Sequence, residues 1–342
     1  MLLFLMLPLF TNAQITITDV DLPSSGQSYY YSNVVDFLSV DVNQTGPNYS
    51  WDFSNLIYFN QDSVVIVPVS STPFVYQFYF NNAFLYPEHY SSFAQVGQDI
   101  SAMSTIDINE RYDYYQKNDS TYNVVGFGAN VNGIPASVKY DTIDHIYPLP
   151  LNYGVTDSTS AYYLTSIPSL GTYGQWIRRK VEVDGWGTVS TPYSSYDVIR
   201  VKTTLYQRDT IYIDQFMLGN AFDRPVSTIY EWYANNEGVP VVSVTAQSGV
   251  INEVKYLDQL HVSLLEHHHS GFNVFPNPTN DEIQLEVDVI EPMFIEIYNL
   301  NGYKVLELEY QKNISLESLE KGGYLLKVIG KNSTKCKKLI KL

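Results

Sequence analysis

No stretch of this 342-residue chain keeps a helical period of apolar residues over three turns. Short alternating segments stand in its place, and this narrows the available folds more than anything else in the sequence. Ile15-Thr-Ile-Thr-Asp-Val20 repeats every second residue, as a half-buried strand does. Beyond about residue 105 the segments become regular: Arg111-Tyr-Asp-Tyr-Tyr115, Thr121-Tyr-Asn-Val-Val125, Ala136-Ser-Val-Lys-Tyr140 and Ile143-Asp-His-Ile-Tyr147, parted by Asn, Asp and Gly. Strands recurring every roughly 8–12 residues with turn signals between them predict a meander, sandwich or barrel. The 30 Tyr fit this, with Val, Ile, Thr and Ser abundant and helix formers scarce. Such side chains suit a pleated surface, and a Tyr ring can fill a core while its hydroxyl reaches water.

Other segments extend the pattern. Tyr49, Trp51 and Phe53 share one face of a strand and are expected in the core. Val64-Val-Ile-Val-Pro-Val69 reads as a strand that Pro68 places at an edge or bulge, and the aromatic-rich Phe74-Val-Tyr-Gln-Phe-Tyr-Phe80 follows. Asp184-Gly-Trp-Gly187 reads as a tight turn. Tyr230-Glu-Trp-Tyr233, the turn Asn235-Asn-Glu-Gly238 and residues 239–245 read as a hairpin. The expected fold is all-β: an antiparallel N-terminal β-domain, either sandwich or open barrel, followed by a small Ig-like β-sandwich. The punctuation of residues 147–245, from Pro148-Leu-Pro-Leu through Gly185-Trp-Gly to Glu237-Gly-Val-Pro, resembles periplasmic and surface β-proteins with an open half-barrel sheet. That resemblance bears on fold alone.

The net charge of −16 is unevenly spread: residues 1–269 hold 11 Lys and Arg against 26 acids, residues 270–342 hold 9 Lys against 10 acids. An acidic surface repels phosphate backbones, so nucleic acid is not an expected partner. Cys336 is the single cysteine, which rules out an intrachain disulfide; with no His beside it, it reads as incidental.

Signatures of catalysis are missing. The sequence has no Gly-x-Ser-x-Gly elbow, His-Glu-x-x-His, phosphate loop or dinucleotide fingerprint, and no cofactor is expected. His89, His145 and His261 lie on separate segments, while His267-His-His269 reads as exposed linker. Carboxylate pairs such as Asp19/Asp21 or Asp107/Glu110 suit glycoside hydrolysis only if folding opposes them, and acids are plentiful enough for such pairs to arise by composition. Trp176, Trp186 and Trp232 suit either a sugar-stacking platform or, the stronger reading, the core of thin sheets. Asp-Ser/Thr pairs at Asp62, Asp119, Asp141, Asp157 and Asp209 resemble O-glycosylation sites of secreted Bacteroidota proteins; equally, Asp-Thr opens a strand after a turn.

Both ends of the chain carry processing signals. Leu2-Leu-Phe-Leu-Met-Leu-Pro-Leu-Phe10 followed by Thr11-Asn-Ala13 matches the apolar region and cleavage site of a secretory signal peptide, though no Lys or Arg precedes the run. Cleavage is expected between Ala13 and Gln14. Near the other end stand Phe272-Asn-Val-Phe-Pro-Asn-Pro278, with Pro276, Asn277 and Pro278; Ile297-Tyr-Asn-Leu-Asn-Gly302, with Asn299 and Gly302; and Leu319-Glu-Lys-Gly-Gly-Tyr-Leu-Leu-Lys-Val328, with Gly323 and Tyr324. A lysine-rich end with Lys337, Lys338 and Lys341 closes the chain. In order and spacing these motifs resemble the C-terminal sorting domain of the type IX (Por) secretion system of Bacteroidota.

That resemblance implies a route. A signal peptide takes the precursor through the inner membrane to the periplasm. The folded tail then directs it across the outer membrane, and Gly323, Tyr324, Lys337, Lys338 and Lys341 are read by the translocon. A surface sortase cuts near Ser270-Gly271 and either joins the cargo to anionic lipopolysaccharide or releases it. The expected parts are residues 1–13 as signal peptide, 14–262 as β-rich cargo with a subdivision near 100 left open, 263–271 as linker and 272–342 as sorting domain. For the cargo, the leading expectation is a non-catalytic binding or adhesive module with a glycan or protein ligand. A secreted hydrolase acting on polysaccharide or peptide is the alternative, and a self-assembling structural subunit a third.

Overall fold

Alternation along the sequence becomes strand in most places, but Ile15-Thr-Ile-Thr-Asp-Val20 forms only an isolated bridge from Ile17 to Leu151 and runs into a 3-10 turn at Asp19–Asp21. The computed structural model describes residues 14–35, 40–98, 100–102, 106–167, 171–214, 217–261, 272–287, 292–299, 302–330 and 334–342. The proposed signal peptide, the His267–His269 run and the Ser270-Gly271 seam lie outside these residues. Residues 1–261 and 262–342 form two compact units.

The first unit contains β1 (Ser28–Val34), β2 (Tyr49–Asp52), β3 (Tyr58–Val67), β4 (Phe93–Val96), β5 (Ile100–Ala102), β6 (Ile106–Lys117), β7 (Thr121–Val131) and β8 (Ile134–Pro148). It continues with β9 (Thr156–Ile167), β10 (Gly171–Ser190), β11 (Ser195–Ile213), β12 (Leu218–Asp223), β13 (Ser227–Tyr233), β14 (Val242–Gln247) and β15 (Val250–Asp258). Twelve of these form an antiparallel ring in the order β11-β13-β14-β15-β1-β3-β4-β6-β7-β8-β9-β10, and β10 pairing with β11 closes it. The sheet is therefore a closed barrel rather than a sandwich or an open half-barrel. Closure removes the free edges that an open sheet would present. Strands from both sides of residue 100 share the ring, since β4 pairs with β6.

Local chemistry explains the hairpins. Asn132-Gly133 joins β7 to β8 with φ values of 51° and 83°, the left-handed pair that a two-residue turn requires. At the β10–β11 turn the Thr191 hydroxyl accepts the backbone N–H groups of Tyr193 and Ser194, at 3.3 and 3.0 Å. Asp184-Gly-Trp-Gly187 departs from expectation: it lies inside the 20-residue β10, at a bulge between Val183 and Gly185. A Cβ on Gly187 would stand 1.9 Å from the Tyr49 carbonyl oxygen, so glycine here admits the backbone of β2, which pairs in parallel with β10. Residues 74–80 form a 3-10 turn and one short α-helical turn rather than a strand.

Side chains from strands four places apart in the ring meet inside it. The Tyr147 hydroxyl of β8 donates to Glu231 of β13 at 2.5 Å, and the Tyr147 and Tyr233 rings pack edge to face. A run of stacked rings, Phe93, Tyr115, Tyr122 and Tyr147, leads to that point. Twelve strands enclose more space than eight, whose interior ordinary side chains just fill. Large Tyr rings fill it here, which accounts for much of the Tyr content. Ile17 and Leu22 pack with Leu149 and Leu151 in this core.

Two coverings clothe parts of the outer face. Trp51, Phe53 and Leu56 of the segment around β2 pack on Trp232, Val242 and Val244. Val69, Tyr76 and Phe80 cover Ala94, Tyr114 and Val125. Gly128 leaves room for Tyr76, whose Cγ would lie 2.5 Å from an added Cβ.

The second unit contains β16 (Phe272–Phe275), β17 (Glu282–Val287), β18 (Pro292–Asn299), β19 (Lys304–Glu309), β20 (Asn313–Ser315), β21 (Gly322–Gly330) and β22 (Thr334–Lys341). A three-stranded sheet, β16-β17-β20, and a four-stranded sheet, β19-β18-β21-β22, enclose one core that includes Ile283, Leu285, Ile295, Ile297, Ile314, Leu326, Val328 and Leu339. This is a small antiparallel sandwich.

Candidate functional site

In the C-terminal unit the motif residues converge on the last strand. Phe275-Pro276 and Asn277-Pro278 are both cis, and they carry the chain past β22. There the Asn277 amide acts as an additional rung. Its Nδ2 donates to the Lys338 carbonyl at 2.7 Å, and its Oδ1 accepts the Ile340 N–H at 2.9 Å. Thr279 continues the pairing: its N–H donates to the Ile340 carbonyl, and its carbonyl accepts the Leu342 N–H. An edge that would otherwise stay open is thus occupied by the Pro-Asn-Pro-Thr segment.

Lys341 locks the same strand. Its side chain is only 7% exposed, and its ammonium donates to the Leu316 and Leu319 carbonyls at 2.5 and 2.7 Å, with Asp281 at 3.4 Å. Tyr324 is buried, and its hydroxyl donates to the Glu320 carbonyl at 2.7 Å. Gly323 pairs with Ile340. Asn299 and Gly302 form the β18–β19 turn, with the Tyr303 N–H donating to the Asn299 side chain at 3.0 Å and Gly302 at φ 83°. Lys338 is exposed and Lys337 half-buried on β22. Residues 273–342 match the family model of the secretion system C-terminal sorting domain, Por_Secre_tail.

The tail is a type IX secretion system sorting domain. The chain is accordingly cargo of that system, secreted or attached to the cell surface. No curated protein and no solved structure matches the chain. Within the sorting domain the structure separates two kinds of motif residue. Asn277, Tyr324 and Lys341 hold the fold by bonds to the backbone, while Lys338 faces solvent. The inward turn of Lys341 was readable from the sequence: Leu339 and Lys341 fall on one face of a period-two strand.

In the barrel, the interior carboxylates named here are engaged. Asp144 receives Arg179 through two bonds, at 3.1 and 2.7 Å. Asp113 is held by Arg111, and Asp209 by Gln175 and Arg224 at 2.8 and 2.6 Å. Glu231 is met by Tyr147; burial pushes its carboxyl up, against the Tyr147 hydrogen bond and the charges of Lys255 and Arg179. Burial and the Glu231 charge push the Tyr147 and Tyr233 hydroxyls well above the usual phenol range. Sequence reasoning missed this cluster, because its members come from strands far apart in the chain.

The residues weighed earlier for chemistry stay apart. His89 bonds the Tyr140 carbonyl, His145 the Asn123 side chain and His261 the Asp258 carboxylate. Asp258 also accepts the Ser32 hydroxyl at 2.7 Å, so the acid stands between Ser and His, an order that cannot activate the serine. Among the described residues no group of three metal-ligating side chains forms. Asp21 is buried beneath the backbone N–H groups of Thr18 and Asn236; burial works to raise its carboxyl, but these donors prevail and hold it below its usual range. Asp107 and Glu110 are exposed on β6. Asp62, Asp141 and Asp209 lie within strands rather than after turns, and the hydroxyl residue that follows each is exposed.

The three tryptophans part company. Trp232 is fully buried under the β2 covering and Trp186 packs in the core, whereas Trp176 is 40% exposed on the outer face of β10. The register places Tyr162 of β9 and Arg208 of β11 directly beside Trp176. Arg178 stands one pleat along, beside Tyr206. Lys180 lies over the Tyr206 ring, 5.7 Å from its centroid.

Proposed function

We propose that residues 14–262 are a non-catalytic binding module that the sorting domain delivers to the cell surface. The observation that carries this reading is the contrast between the two sides of the barrel wall. Inside, Asp113, Asp144, Asp209 and Glu231 each hold a partner, which leaves none of these four poised against a second free carboxylate. Outside, Trp176, Tyr162 and Tyr206 stand in solvent on regular strands, where rings serve recognition better than stability.

In this reading the translocon reads exposed features of the tail such as Lys338. A sortase then cuts near Ser270-Gly271, and the module is released or joined to anionic lipopolysaccharide. The intact mass of the exported protein tests the cut: it should correspond to a chain ending near residue 271, and a mass that retains residues 272–342 would contradict it. A glycan array and a broad hydrolase screen test the module. Binding without turnover is expected, and turnover of any polysaccharide or peptide would reverse the reading towards an enzyme.

A further inference from the structure

The barrel's outer face is covered over Trp232 and over Tyr114, but the face of β9, β10 and β11 is bare. Along those strands the outward positions are Ser158, Ser160, Tyr162 and Leu164; Trp176, Arg178, Lys180 and Glu182; and Lys202, Thr204, Tyr206 and Arg208. Residues 1–269 hold only 11 Lys and Arg against 26 acids, yet Arg178, Lys180, Lys202 and Arg208 gather here. Among the described residues Arg178 and Lys202 have no acid within ion-pair distance, and Arg208 has only the highly exposed Asp223, at 3.4 Å. A groove of about 660 Å³, lined by Lys180, Lys202, Thr204 and Tyr206 and also by the acids Asp157 and Glu182, meets the ring platform at Tyr206.

Four cations stand on this face against Glu182, which faces Lys202 in the register, and such an excess on an acidic protein fits an anionic partner. The hydroxyls of Ser and Thr are short, so the Trp176, Tyr162 and Tyr206 rings stand clear of them and offer flat apolar faces with hydrogen-bonding groups between. That combination suits sugar rings. A duplex nucleic acid carries one charge per about 1.7 Å and meets long-range repulsion from the surrounding acids, whereas a polymer bearing one carboxylate per sugar meets less. We propose that this face binds a uronic-acid polysaccharide, with Trp176, Tyr162 and Tyr206 under the sugar rings and Arg178, Lys180, Lys202 and Arg208 on the carboxylates. The inference rests on the binding-module reading and names its ligand class.

The test is affinity electrophoresis of the full chain in gels containing polygalacturonate, with dextran as the neutral control. Polygalacturonate should retard the wild type, less so as salt rises, and dextran should not. W176A and the double variant R178S/K180S should each weaken the interaction by about tenfold. All three side chains are exposed, so melting curves should match wild type and exclude misfolding as the cause. Equal mobility of the wild type in both gels overturns the proposal, as does wild-type affinity in both variants. Displacement of polygalacturonate by an equal mass of single-stranded DNA also overturns it, in favour of a nucleic-acid face. Release of reducing ends from the polymer would instead overturn the non-catalytic reading while retardation still reports on the face, so the two failures are distinguishable.

Discussion

Arg200 shows how much one side chain organises in the barrel. It is 1% exposed and fully engaged: Nε and Nη2 bind Asp184 at 2.8 and 2.7 Å, and Nη1 binds the Val42 and Gln44 carbonyls at 2.8 and 3.0 Å. Its guanidinium also lies over the Trp232 and Tyr230 rings. A lysine cannot reproduce this fork. R200M, which takes from Asp184 its cationic partner and from the Val42 carbonyl its side-chain donor, should cost about 3 kcal/mol in chemical denaturation. Lys341 plays the matching part in the tail, and K341M should cost on the order of 2 kcal/mol there, because the Leu316 and Leu319 carbonyls lose the ammonium and Leu316 keeps only the Leu319 N–H. Glu231 gives a pH prediction. Its carboxyl is raised above its ordinary 4.5, so the folded chain binds the proton more tightly than the unfolded chain. Its contribution to stability is therefore greatest below about pH 4.5 and declines as pH rises through the folded value. E231Q should remove that decline, so its melting temperature should rise relative to wild type between pH 4.5 and 8; parallel profiles would contradict the assignment.

At the scale of elements, strand identity was largely legible and strand pairing was not. Period-two alternation located most strands, and the 230–245 hairpin forms as β13 and β14. The Asp-Gly-Trp-Gly run misled because Gly signals both turns and close backbone approach, and only the position of β2 shows which applies. The aromatic segment 74–80 carries no period that separates helical turn from strand, and the surface it packs on, Ala94, Tyr114 and Val125, lies elsewhere in the chain. Closure of the ring was hidden for a related reason: β11 pairs with β10, β12 and β13, a branching that no local pattern encodes. G187V should displace β2, expose Trp232 to water and red-shift the tryptophan fluorescence, at a cost of about 2 kcal/mol or more. Unchanged fluorescence would show that β2 tolerates the displacement.

At the scale of the whole molecule, one unit carries the export signal and the other is its cargo. The tail was the most legible part of the sequence, since its motifs are local, ordered and tied to fold: Pro-Asn-Pro to the edge of the last strand, Asn-Leu-Asn-Gly to a turn, and Gly-Gly-Tyr to the strand that pairs with the last. The barrel's candidate site was legible only as a set of residue types. Trp176 could not be told from Trp232 by spacing, because each follows a polar residue and precedes a large apolar or aromatic one, Gln175 and Ile177 against Glu231 and Tyr233, and only the coverings distinguish them. The most direct measurement of the central claim, that residues 273–342 deliver a separately folded barrel, is immunodetection of the barrel outside native host cells with and without residues 322–342. That deletion removes β21 and β22, and with them the edge that Asn277 and Thr279 occupy. The full chain should deliver the barrel outside, and the truncated chain should leave it within the cell envelope. Wild-type levels of the barrel outside the cell after the deletion would contradict it.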